Sequence, residues 1–387
     1  MREKDAAPSA VLMVCDYSLK YLGGAQTAFR RQAEALASQG VPVVVLAPDA
    51  DELKADGLIT IAPPQRGSIP VLDLPLLGRA EALEPLVSAT IRRHHIGAVV
   101  VHSEFALASA AINAARRLGI PSLHTVHTFF WRAPAAFAPL APVVRRFHSR
   151  LTGIQDGGRV TGGRPLNDAL RTMTLRIAER ADIVLSPSAH QAEALRAAGA
   201  GRVEAFSNVA QPLQVAPVRP TGALQLLWVA RFAPEKRVEV ALDAMRRVTA
   251  ELGEGRVHLD IAGGTHRPVP GVTFHGSVPG DRVAELIDAS DAVLITSLGF
   301  DNQPMVALEA FAHGRPVIVS DPVLAKEFGA AALGTPTPDA AGLADLILQL
   351  EASRELLETP RDGAIAYARE RVASAHVSRL QELIASV

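Results

Sequence analysis

The residues best equipped for chemistry lie in the run Phe300-Asp-Asn-Gln-Pro-Met-Val-Ala-Leu-Glu309-Ala-Phe-Ala-His-Gly314. Pro304 suits the first turn of a helix, and Gly314 suits the position just past its end. A short helix is therefore predicted, with Asp301, Asn302 and Gln303 gathered at its N-terminus. Unpaired N–H groups and partial positive charge at such an end welcome hydroxyls and phosphates. Glu309 falls about a turn and a half inside. The same pattern also describes a capped helix with a solvated glutamate, and helix physics alone does not choose between them. Asp301 and Glu309 stand ~12 Å apart along a helix. Retaining hydrolases need roughly 5 Å between their carboxyl groups and inverting ones roughly 6.5–9.5 Å, so hydrolysis is disfavoured.

A second constellation is Leu227-Trp-Val-Ala-Arg231-Phe-Ala-Pro234-Glu-Lys236-Arg237-Val. A strand runs into a loop and Pro234 opens a helix, so Arg231 and Lys236 emerge at a strand's C-terminal end beside a helix N-terminus. A diphosphate fits there; a solvated basic helix start is the plainer reading. A third is Leu22-Gly23-Gly24-Ala-Gln-Thr-Ala-Phe29 after the first apolar run. Two glycines before a helix permit close backbone approach to a ligand, or make a tight turn. They do not form G-x-G-x-x-G, which disfavours dinucleotide binding. His124 and His127 end another strand, and residues three apart point to opposite faces, so the pair does not easily chelate one metal. Asp49-Ala-Asp51 has the form of a metal-binding D-x-D but follows a strand as a loop. No His/Cys cluster has ligand spacing elsewhere.

These residues need elements to position them. Apolar runs at Val11–Val14, Val43–Leu46, Ala98–Val101, Ser122–Val126 and Ile183–Leu185 alternate with helical patterns such as Ala25–Ser38, Arg79–His95 and Ala189–Ala198. The scheme repeats with Leu226–Val229, Leu259–Ala262, Ala292–Ile295 and Pro316–Val319, around the pattern Val238–Glu251. Continuous apolar strands separated by helices imply parallel sheets covered on both faces. An α/β architecture follows, with two doubly wound Rossmann-like domains facing a cleft and ligands at the strands' C-terminal ends. The expected division is a domain over 1–210, a Pro-bearing linker at 211–222, a second domain over 223–370 and a C-terminal helix over 371–387. A chain of 387 residues exceeds one compact core, which agrees.

Net charge is −1, which suggests no nucleic-acid partner. One cysteine, Cys15, excludes an internal disulfide and fits a reducing compartment, the cytoplasm. Arg2 and Lys4 precede an apolar run, Val11–Cys15, too short for a signal peptide or membrane span.

Together the motifs resemble family 4 of the retaining glycosyltransferases, which have the GT-B fold. The resemblance is most specific between Leu226 and Val319. It implies that Arg231 and Lys236 bind a donor diphosphate and that Glu309 binds the donor ribose. Asp301 and the backbone around Asn302–Met305, Pro304 included, would hold the transferred sugar. Gly23 and Gly24 match the loop under the diphosphate and acceptor, and His127 matches a histidine near the transferred sugar. Gly263 and Gly264 resemble the glycine turn that admits the nucleotide, and Phe274-His-Gly-Ser-Val278 the segment touching the base. Two departures bear on the sugar subsite: Asp301 stands where Glu is usual, and Asn302-Gln303 replaces Gly-Phe.

The implied activity is hexosyl transfer from a UDP or GDP sugar to a glycan, lipid-linked or small-molecule acceptor. Anomeric configuration is retained in a front-face displacement. Arg231, Lys236, His127 and Asp301 are the implied catalytic set, with no cofactor and no metal. A nucleotide-sugar epimerase, a phosphorylase and a non-catalytic sugar-nucleotide-binding subunit share the architecture, and acceptor dependence separates them. Residues 131–176 interrupt the alternation, partly helical at most, with eight Arg against Asp156 and Asp168. Arg145-Arg146 beside Phe147 suits an anionic acceptor, the surface of an anionic membrane, or a merely solvated helical hairpin.

Overall fold

The computed structural model describes residues 10–20, 23–69, 74–155, 163–217 and 222–387. The first segment (with Arg2 and Lys4), Leu22 and the Gly-rich stretch 156–162 lie outside the described residues. The chain divides into two compact units. One takes in the chain to Val209 together with Ala373–Val387, and the other is Ala210–Val372.

In the first unit β1 (Ala10–Val14), α1 (Gly24–Ser38), β2 (Val43–Leu46) and β3 (Leu58–Ile61) are followed by the antiparallel pair β4 (Ser68–Ile69) and β5 (Leu74–Pro75). Then come α2 (Ala80–Arg93), β6 (Ile96–Val101), α3 (Ala106–Leu118), β7 (Ser122–Thr125), α4 (Ala141–Thr152), α5 (Pro165–Ala178), β8 (Ile183–Ser186), α6 (Ala189–Ala197) and β9 (Val203–Ala205). The large sheet runs β3-β2-β1-β6-β7-β8-β9, all parallel. Strand residues alternate faces, and β1 shows both being used. Ala10, Leu12 and Val14 pack into a core with α2 and α3, while Val11, Met13 and Cys15 pack with α1 on the other side.

The second unit contains β10 (Leu224–Val229), α7 (Val238–Leu252), β11 (Val257–Ala262), β12 (Val272–Gly276), α8 (Gly280–Ala289), β13 (Ala292–Ile295) and α9 (Met305–Ala312). It continues through β14 (Val317–Val319), α10 (Pro322–Phe328), β15 (Ala332–Gly334), α11 (Ala340–Ala352) and α12 (Glu358–Arg369). Its sheet is β12-β11-β10-β13-β14-β15, again all parallel. Leu224, Leu226 and Trp228 of β10 pack against Leu242 and Met245 of α7 and Leu343 and Ile347 of α11. The last helix, α13 (Ala373–Ala385), belongs to the first unit. Its Val377, Leu380 and Leu383 share a core with Phe29 and Leu36 of α1. Burying each such side chain contributes roughly 1.5–3 kcal/mol, which holds the helix there.

Two local expectations change. Pro304 is the N-cap of α9 rather than part of its first turn. The interruption at 131–176 is more helical than expected, since its described residues form a 3-10 turn (Ala135–Leu140), α4 and α5. Pro142 and Pro165 open the two helices, where a missing N–H costs nothing. Gly153, at φ +73°, ends α4. Of the expected linker, residues 218–221 lie outside the described residues. Before them the N–H groups of Gln214 and Ala216 donate to the carbonyls of Ala312 and His313, satisfying the end of α9.

Candidate active site

In the second unit the strands β10 and β13 are neighbours, so the loops leaving their C-terminal ends meet. A chain of hydrogen bonds ties them. The Trp228 indole N–H donates to the Thr296 hydroxyl (2.9 Å), which donates to the Lys236 carbonyl (2.7 Å). The Arg237 guanidinium adds bonds to the carbonyls of Thr296 (3.3 Å) and Pro338 (2.6 Å). This clamp fixes the backbone at Lys236, whose Nζ then lies 2.6 Å from Asp301 Oδ1 and 5.4 Å from the centre of the Phe300 ring. A cavity of about 20 Å³ sits beneath, lined by Trp228, Ala230, Lys236, Ser297, Asp301 and Pro304. It is large enough for about one water.

Arg231 behaves differently. Its side chain is 78% exposed and comes no closer than 3.9 Å to Glu235, a geometry that holds it only weakly. The two expected cations thus share one loop in different states: Lys236 neutralised by Asp301, Arg231 projecting into solvent. The glycine turn abuts this loop. Gly263 has φ +113°, and a Cβ there would lie 2.0 Å from the Ala230 carbonyl oxygen. At Gly264 a Cβ would strike the Phe232 ring. Both positions need glycine for the fold itself, whatever they admit in addition.

Asn302 and Gln303 are buried, and the Gln303 amide donates to the Tyr367 hydroxyl at 3.0 Å. Tyr367 lies on α12 under the Arg371 guanidinium, 3.5 Å from its ring centre. The Gln303 side chain is therefore committed to α12. Met305 is buried and Glu309 half-buried within α9. Phe274 and Val278 are half-buried at the β12 end. There His275 Nε2 lies 2.7 Å from Asp260 Oδ1, and this bond with one from His258 keeps the Asp260 carboxyl low despite its burial.

In the first unit Asp16 follows β1 and accepts from the N–H groups of Leu107 (2.7 Å) and Ala108 (3.0 Å), capping α3. Glu104 accepts from the Tyr17 hydroxyl at 3.0 Å, and burial pushes its carboxyl up to about 8. His127 stands just past β7, half-buried, with Nε2 2.8 Å from Nδ1 of His102; burial pushes it down to about 4. His124 is fully buried and pushed down to about 3. His102, absent from the expected site, directly follows β6, while His127 stands two residues past β7. A histidine just past an apolar strand was the available signal.

Gly23 is the N-cap of α1 with an extended backbone, and Gly24 has open space around it. Neither glycine has a backbone conformation that requires it, though a Cβ at Gly23 would meet the Gln26 side-chain oxygen, and glycine is a favoured N-cap residue. Asp49 accepts from the Ser18 hydroxyl and from Gln65 Nε2 (3.3 Å), while Asp51 is exposed. On the helical pair, Arg145 lies 2.5 Å from Asp168 and ties α4 to α5, whereas Arg146 is exposed. Phe137, Leu140, Val143 and Phe147 are exposed along the same stretch. A shallow groove of about 610 Å³ runs past Pro139, Arg145, Arg146 and Ser149.

Residues 22–209 match the family model described as Glycosyltransferase Family 4, and residues 223–353 match the one described as Glycosyl transferases group 1. No curated protein matches the sequence. Among solved structures the chain is similar to HepE of Anabaena, in complex with UDP and glucose, at 16% identity. That match has a TM-score of 0.67 and covers 97% of this chain and 99% of that one. It is similar to sucrose-phosphate synthase of Thermosynechococcus elongatus at 19% identity and TM-score 0.66, over 97% and 98% of the two chains. A TarM mutant of S. aureus, in complex with fondaparinux, alpha-GlcNAc-glycerol and UDP, follows at 11% identity and TM-score 0.69, over 97% and 99%. At such identities the likeness establishes the fold: two doubly wound Rossmann-like units of the GT-B kind. No helix among the described residues is long and apolar enough to cross a membrane.

Proposed function

Matched by two family models over most of its length, the chain belongs to the group 1 and family 4 glycosyltransferases, and from that premise we propose a retaining, metal-independent transfer of a sugar from a nucleoside-diphosphate donor to an acceptor hydroxyl. The observation that carries this reading is the Lys236–Asp301 pair at the joined ends of β10 and β13, with Arg231 exposed on the same loop. A diphosphate arriving there meets Arg231 unneutralised and competes with Asp301 for Lys236. That exchange releases the Asp301 carboxylate toward the hydroxyls of the transferred sugar. The leaving diphosphate gains negative charge in the transition state, and preorganised cations stabilise it. Assigning no side chain among the described residues as nucleophile, we have the acceptor hydroxyl attack on the face from which the diphosphate departs: the new sugar–oxygen bond forms as the sugar–diphosphate bond breaks, and the hydroxyl proton passes to the leaving diphosphate. In this reading the cationic charge comes from Arg231 and Lys236, and chelator is expected to leave activity intact. Loss with EDTA, restored by Mn²⁺, would return Asp49 and Asp51 to consideration. UDP sugars are the first donors to test, because HepE and TarM were solved with UDP; GDP sugars come second. We place the reaction in the cytoplasm.

Glu309 is assigned to the donor ribose. Glu309→Ala is expected to weaken donor binding by about 1.5–3 kcal/mol, the range for a charge-assisted hydrogen bond. Titration calorimetry should show the same loss for the free nucleoside diphosphate, since the contact does not involve the sugar. A loss confined to the sugar donor would refute the assignment.

The groove beside α4 is assigned to an acceptor carrying negative charge, free or lipid-linked, with Arg146 as the exposed cation and Arg145 holding the helical pair together. Arg146→Glu is expected to reduce transfer while donor hydrolysis and donor affinity persist. Added salt should weaken acceptor affinity in the parent more than in the variant, because exposed charges are screened. Unchanged transfer kinetics and unchanged liposome binding would leave the helical pair a solvated extension.

A further inference from the structure

His127, half-buried, ends a row of side chains drawn from four separate segments of the first unit, the other three being buried. His127 Nε2 lies 2.8 Å from His102 Nδ1, and His102 Nε2 lies 2.7 Å from Gln32 Oε1. Gln32 Nε2 lies 2.7 Å from His376 Nε2, and the His376 ring is also held by the backbone of Ser207. His102, Gln32 and His376 are all buried. Phe29 meets the His102 ring edge-on at 5.1 Å between centroids, and Phe206 lies 4.3 Å from that of His376. Each ring plane is therefore fixed by an aromatic neighbour.

The direction of these bonds follows from chemistry. The Ser207 contact favours the protonated ring, so the backbone carbonyl accepts from His376. A neutral imidazole has one N–H, so His376 accepts at Nε2 and the Gln32 amide must donate to it. Gln32 Oε1 then faces His102 and accepts from its Nε2–H. His102, neutral in turn, has only a lone pair at Nδ1, which accepts from His127. Burial supports the neutral state of both relay histidines, holding His102 well below the usual range and His376 at about 4. The other titratable rings near His102 are His124, His127 and His376, and their mutual repulsion acts the same way.

We infer that His102, Gln32 and His376 are positioning residues forming a one-way relay from the C-terminal helix that holds His127 in a single orientation with its proton on Nε2. The inference deepens the proposed function, since it gives His127 a purpose only if that residue attends the transferred sugar. Without the relay, the His127 ring loses the acceptor of its Nε2–H, and the preference for that tautomer weakens.

The test uses the full chain labelled with ¹⁵N-histidine at pH 7, the His127 signals being assigned by their loss in His127→Ala. The parent should show one neutral tautomer, Nε2–H. His102→Phe should show Nδ1–H as well and should lose about tenfold in kcat/KM, the upper end for one hydrogen bond, while affinity for uridine diphosphate holds. His102→Asn places an amide oxygen near the lost Nδ1 and should restore both the tautomer and most of the rate. If the phenylalanine variant does not fold, Gln32→Leu removes the acceptor of His102 and should disturb the same signals. An unaltered Nε2–H signal in His102→Phe or Gln32→Leu, or an asparagine variant as poor as phenylalanine, would overturn the relay. Full activity in His127→Ala would instead overturn the site reading, whatever the tautomer result.

Discussion

Replacing Lys236 by alanine is expected to lower turnover by about 10²–10³-fold, the usual cost of removing one preorganised contact to transition-state charge. Arg231→Ala should fall in the same range for a different reason. The Arg231 side chain is mostly in solvent without ligand, so its removal takes nothing from the folded protein and acts only when the diphosphate is present. Lys236 is partnered by Asp301, and its loss leaves that mostly buried carboxylate without its cation. Arg231→Ala should melt close to the parent, because an exposed ion pair contributes little to stability, whereas Lys236→Ala should melt lower. Steady-state kinetics with a saturating sugar donor decides the matter. Turnover within threefold of the parent in both variants removes these cations from the diphosphate site.

Gly263→Ala is expected to destabilise the second unit by about 2–6 kcal/mol. Backbone strain at positive φ contributes about 1–3 kcal/mol and overpacking against a neighbour about 1–3 kcal/mol. The neighbour here is main chain, the Ala230 carbonyl, and it cannot swing aside as a side chain can. Gly264→Ala meets the Phe232 ring instead, which rotates, so its cost should be smaller. Urea denaturation of the two variants checks the order. Equal stability of Gly263→Ala and the parent would show that the glycine turn is free to move away from the Arg231 loop.

Much of this was legible in the residue pattern, and the parts that were not share a cause. Strands β1, β2 and β13 are buried throughout, and each is an unbroken apolar run. The strands β9 and β12 lie at sheet edges and are half-open, so they mix in Glu204, Thr273 and His275 and break that signal. The helical pair α4–α5 was underestimated because its order comes from Arg145 meeting Asp168 and from small buried residues such as Ala141 and Ala169, not from a strong apolar stripe. At the site, a strand end pointed to Lys236 and a helix N-terminus to Asp301, whereas His127 entered only through the family resemblance. The pairing of Lys236 with Asp301 was not readable, because it spans 65 positions and depends on β10 and β13 being neighbours. The partnership of Gln32 with His376 spans 344 positions and depends on α13 packing against α1.

The central claim is that the joined ends of β10 and β13 bind a nucleoside diphosphate through Arg231 and Lys236. A thermal-shift comparison of UDP, GDP and ADP on the parent and on Lys236→Ala tests it most directly. A ligand that binds only the folded state at about 100 times its Kd adds about 2.7 kcal/mol, a shift of several degrees. The account predicts that one diphosphate raises the parent's melting temperature, that its monophosphate does so far less, and that Lys236→Ala loses most of the shift. An equal shift in parent and variant, or none with any diphosphate, would contradict it.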